Sequence, residues 1–194
     1  HLLEPHAFAE EYIDSVVKVV KKFEVQRYCR IGAMYNAVPH TRPLRVTGTL
    51  GGEPLKSIPG VTSLGRGSYQ GPTSIMNLVS EGVEKLGVES MSIMVHLPQY
   101  LELEEDYSGS SRVMEVLTSI YNLPADISEH ERGQRQYSEL DSEVDRNPGV
   151  KALVRRLEAY YDARESSKEK VEETTLSPEV QNFLQEMGRQ FDNS

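Results

Sequence analysis

Up to Tyr121, the apolar residues switch repeatedly between helical and extended spacing, which excludes all-helical and all-strand folds. Phe8, Tyr12, Ile13, Val16, Val17, Val20 and Phe23 fall three and four apart, predicting an amphipathic helix over Ala7–Phe23. Its acidic start (Glu10, Glu11, Asp14) and basic end (Lys18, Lys21, Lys22) suit the helix dipole. A strand is predicted over Val25–Met34, interrupted beyond it by Pro39 and Pro43. "LRVTGTLGGEPL" reads as a hairpin, because Gly51 and Gly52 can take the positive φ of a tight turn. A glycine-rich loop then feeds a helix predicted over Pro72–Leu86, and Met91, Ile93 and Val95 alternate as a strand reaching His96 and Pro98. Ser110–Tyr121 is a further amphipathic helix through Val113, Met114, Leu117 and Ile120. This order predicts an α/β fold: helices on both faces of a largely parallel or mixed sheet, with the core mainly before Tyr121.

Beyond Leu123 the apolar residues thin out. Residues 124–165 read as a helical hairpin with Pro148 opening its second helix and Val150, Leu153, Val154, Leu157 and Tyr161 on one face. That face is expected to pack on the sheet or on another subunit. Residues 166–194 read as a solvated linker and a short helix capped by Ser177 and Pro178. The division is therefore an α/β domain over 1–123, a helical extension over 124–165, and a tail.

The formal charge of −9 and a pI near 5.1 argue against a broad nucleic-acid or anionic-membrane surface, which needs a surplus of Lys and Arg. Cys29 is the single cysteine, so no internal disulfide forms, and no apolar run reaches the roughly 18 residues of a membrane span. The opening "HLLEPHAFAEEY" lacks the pattern of a signal peptide, and a cytoplasmic location is expected. The first residue is His1 rather than Met, and "LLEPH" reads as the end of a strand entering a helix, so the chain is expected to begin in mid-domain.

Four stretches can carry chemistry. In "GRGSYQGPTSI", Gly65, Gly67 and Gly71 precede the helix start. The amides of Thr73 and Ser74, with Arg66, could meet an anion there, or the stretch is an ordinary loop. It matches neither common phosphate-loop pattern. In "NAVPHTRPLRV", the two prolines hold His40, Thr41 and Arg42 extended just past a strand end, where open α/β sheets bind ligands. His40 could move a proton and Arg42 could hold a carboxylate or phosphate. Equally, His40 and Arg42 could fix a turn or a subunit contact. "VHLPQYL" adds His96 and Tyr100 at a second strand end; two histidines without clustered cysteine or carboxylate make no metal site. Finally, Glu158 and Asp162 stand at i and i+4, a mildly repulsive spacing that either marks a simply solvated face or hints at an arginine partner, Arg155 or one elsewhere. No cofactor is implied.

"EPHAFAEEYIDSVVKVV", "AVPHTRPLRVTGT", "YQGPTSI", "VHLPQYL" and "VRRLEAYYDA", in that order, resemble the proteasome assembly chaperone family of bacteria and archaea, above all its actinobacterial-type branch. The resemblance runs over about residues 2 to 165, with Pro39–Pro43 its most specific piece. It implies an α/β/α sandwich similar to purine nucleoside phosphorylases with an appended helical region, an upstream segment of strands and helices, and homo-oligomers, often trimers. Relatives in eukaryotes and archaea act as assembly chaperones or scaffolds, several docking through a C-terminal hydrophobic-tyrosine-any tail. This chain ends "GRQFDNS", which departs from that tail. The expectation is a scaffold with a protein partner, its subunit contacts through Val150, Leu153, Leu157 and Tyr161. The rival is an enzyme or small-molecule site built from His40, Arg42, Arg66, Thr73, Ser74 and His96.

Overall fold

Ten-residue pairing between two strands decides which side chains meet at one end of the sheet. In the computed structural model, which describes residues 5–55, 58, 60–62, 74–101, 103–124 and 127–167, β1 (Arg27–Asn36) runs parallel to β5 (Glu89–Pro98). The register is unbroken from Arg27 opposite Glu89 to Asn36 opposite Pro98. Both strands therefore end side by side. β2 (Val46–Leu50) lies antiparallel to β5 with Val46 opposite Val95, so its beginning sits at that same end. The segment from Ala37 to Arg45 thus crosses the end of β5 to connect β1 with β2.

The sheet is mixed. β2 also pairs antiparallel with β3 (Glu53–Pro54) and parallel with β4 (Val61–Thr62), giving five strands among the described residues. The hairpin between β2 and β3 turns at Gly51 (φ 58°) and Gly52 (φ 83°), as their positive φ requires. β4 falls where a loop was expected; two residues are too short a run for alternation to reveal.

Helices cover both faces. α1 (Ala9–Lys22) and α2 (Ile75–Glu84) pack together through Val20, Val79 and Val83, with Val17 and Tyr28 against them. On the opposite face α3 (Tyr107–Tyr121) sets Val116 into a core of Val46, Met91, Ile93 and Val95. These four are 3% exposed or less, so their side chains are removed from water almost completely. The result is the expected α/β/α arrangement.

α4 (Ile127–Arg146) lies against α3 so closely that a Cβ on Gly133 would come within 2.8 Å of the Ser108 backbone nitrogen. A single residue, Asn147, then separates α4 from α5 (Pro148–Ser167). Pro148 opens α5 as its fixed φ favours. Buried Val144, Leu153, Val154 and Leu157 carry the core well past Tyr121, further than the sparse apolar pattern indicated. β1 reaches Asn36, two residues beyond the predicted strand, because its pairing with β5 holds the chain extended that far. α2 starts at Ile75 rather than Pro72, with the Ser74 hydroxyl accepting from the Met76 amide at 3.2 Å. The predicted helix at Ser177 lies outside the described residues.

Candidate functional site

Asn36, the last residue of β1, organises the sheet end. Its Oδ1 accepts from the Ala37 amide at 2.7 Å, which turns its Nδ2 toward His96 Nδ1 at 2.9 Å. His96 Nδ1 is then an acceptor, so Nε2 carries the proton and donates to Thr47 Oγ1 at 3.1 Å. Only 4% of His96 is exposed. Burial, with Arg45 and Arg164 nearby, drives its pKa down from 6.5 to about 4. This imidazole is neutral, and both of its nitrogens are engaged.

His40 is built in the same way from a different set. Tyr100 follows β5 as His40 follows β1, and the register brings them together. The Tyr100 hydroxyl accepts from the His40 amide at 2.9 Å and hydrogen-bonds His40 Nδ1. Nε2 faces a carboxylate, which only accepts, so the imidazole proton sits on Nε2 and the Tyr100 hydroxyl donates to Nδ1. Nε2 faces Asp141 Oδ1 of α4 at 3.0 Å, too obliquely for a straight hydrogen bond. The Tyr100 and Tyr137 rings meet the imidazole edge-on, with centroids 5.7 Å away in each case. Burial lowers the His40 pKa, and the Asp141 carboxylate opposes that only in part. Burial also pushes Tyr100 up to about 12, so this phenol is no nucleophile at neutral pH.

Thr41 and Arg42 turn outward onto α5. Thr41 Oγ1 donates to Glu158 Oε1 at 2.7 Å. Arg42 grips Asp162 with two bonds, Nε to Oδ1 at 3.0 Å and an Nη to Oδ2 at 2.9 Å, and donates its other Nη to Glu158 at 3.0 Å. The guanidinium holds the Asp162 carboxyl below its usual range. This face is therefore not simply solvated: Arg42, more than a hundred residues upstream, is the arginine partner of Glu158 and Asp162.

Arg45 continues the row. It reaches Glu165 at 3.3 Å and lies 4.3 Å above the Tyr161 ring, while the Tyr161 hydroxyl donates to the Pro43 carbonyl at 2.9 Å. Below these polar contacts, Leu153 and Leu157 bury against Ala37, with Tyr100 at the edge.

The structure thus gathers His40, Thr41, Arg42, His96 and Tyr100 at one end of the sheet. Arg66, Gly71 and Thr73 lie outside the described residues, and Ser74 caps α2. Arg42 is no open anion ligand, because α5 supplies carboxylates to it. Leu153 and Leu157 are 9% and 4% exposed and spent on contacts within the chain, and Tyr161 is tied to Pro43. Val150, on the first turn of α5, is half-buried.

The residues not foreseen are Asn36, Thr47, Asp141, Tyr137, Arg45 and Glu165. For Arg45 and Glu165 a signal existed: arginines three apart facing an acidic row at 158, 162 and 165. Asp141 sits in a helix crowded with exposed charge and could not be singled out. No group of three or more His, Cys, Asp or Glu side chains among the described residues is placed to hold a metal ion. No helix among them is long and apolar enough to cross a membrane.

A mixed sheet between helix layers is an architecture with known counterparts. The PAC2 family model matches residues 1–146, and the chain belongs to the PAC2 family. Among solved structures, a Mycobacterium tuberculosis protein of unknown function is 26% identical with a TM-score of 0.73, the match covering 86% of this chain and 56% of that one. A Corynebacterium glutamicum protein of unknown function is 21% identical with a TM-score of 0.73, covering 84% and 60%. A proteasome-assembly chaperone homologue from Mycobacterium tuberculosis is 18% identical with a TM-score of 0.65, covering 78% and 64%. This chain thus spans less than two thirds of the length of each. A search of the curated proteins finds no match.

Proposed function

We propose that this PAC2-family protein is a cytoplasmic, homo-oligomeric scaffold of the assembly-chaperone kind, acting on a protein partner. The observation that carries the reading is what the Pro39–Pro43 segment does with its functional groups. His40 is bonded to Tyr100, Thr41 to Glu158, and Arg42 to Glu158 and Asp162. His96 is neutral and bonded at both nitrogens. Groups poised for proton transfer or anion capture are here used to hold helices on a sheet end, which is what a rigid binding platform requires. The fold likeness to the Mycobacterium tuberculosis proteasome-assembly chaperone homologue supports the same reading, as does membership of the PAC2 family.

The test is reconstitution of proteasome subunits with and without the full chain. The yield of assembled particles should change when the chain is added. An unchanged yield, together with turnover of a small molecule that depends on His40 or His96, would replace this reading with an enzymatic one.

A further inference from the structure

We draw no further inference here: the strongest candidate, the outer edge of β1, unpaired among the described residues and with Ile31 and Tyr35 exposed along it, is an unpartnered apolar strip, and nothing in the structure shows what covers it.

Discussion

Acidification should destabilise this protein through His96 before most of its carboxylates titrate. In the folded chain the imidazole is buried and its pKa is lowered from 6.5 to about 4. Above pH 6.5 it is neutral whether the chain is folded or not, and its contribution is fully present. As pH falls below 6.5, the unfolded chain takes up a proton that the folded one refuses, and stability is lost until the folded group titrates near 4. A fall from 6.5 to about 4 is worth about 3 kcal/mol, of which about 2.5 kcal/mol is lost by pH 4.5. That is a large part of the roughly 5–15 kcal/mol typical of a domain. The assay is urea unfolding at pH 7.5 and 4.5 for the native chain and for His96→Gln, whose side chain cannot be protonated. The native chain should lose about 2 to 3 kcal/mol more than the variant over that interval. His40 shifts in the same direction but is common to both chains and cancels. Equal losses would refute the reasoning, because they would mean that the Asn36–His96–Thr47 site accepts a proton without cost.

Further outcomes follow from packing. Leu157→Ala removes a side chain 4% exposed at the α5 contact and should cost about 2–5 kcal/mol in urea unfolding, with earlier proteolytic cleavage in α5. Gly133→Ala sets a methyl 2.8 Å from the Ser108 nitrogen and 2.9 Å from its Cα. Neither backbone atom can yield cheaply, so it should lower stability by about 1–3 kcal/mol in the same assay. Arg42→Ala leaves two carboxylates four residues apart without their shared cation. It should lower the melting temperature by an amount that shrinks as salt rises, since screening weakens both the lost attraction and the exposed repulsion.

Periodicity alone located the regular elements that bury one face, because such faces repeat at fixed spacing whatever their tertiary partners. α1, β5 and α3 fall within a few residues of their expected positions, and Pro148 starts α5. What periodicity cannot carry is which faces meet. His40 and Tyr100 are sixty residues apart and become neighbours only because β1 and β5 pair in parallel from end to end. Arg42 and Asp162 are one hundred and twenty apart; the Glu158–Asp162 spacing only hinted at an arginine partner, beside the solvated face that such charges usually form, and gave no address for it. The residues that give His96 its character, Asn36 and Thr47, are an ordinary strand end and an ordinary strand threonine in sequence. Only the sheet register puts them on the two imidazole nitrogens.

The central claim is that the Pro39–Pro43 segment holds helices rather than small anions. A thermal-shift screen of the full chain against phosphate, sulfate, nucleosides and nucleotides tests it most directly, since a ligand at 100 times its Kd would stabilise the fold by about 2.7 kcal/mol. The account predicts no shift across the panel, because Arg42 is occupied by Glu158 and Asp162. A reproducible shift that disappears in a folded Arg42→Ala chain would contradict it.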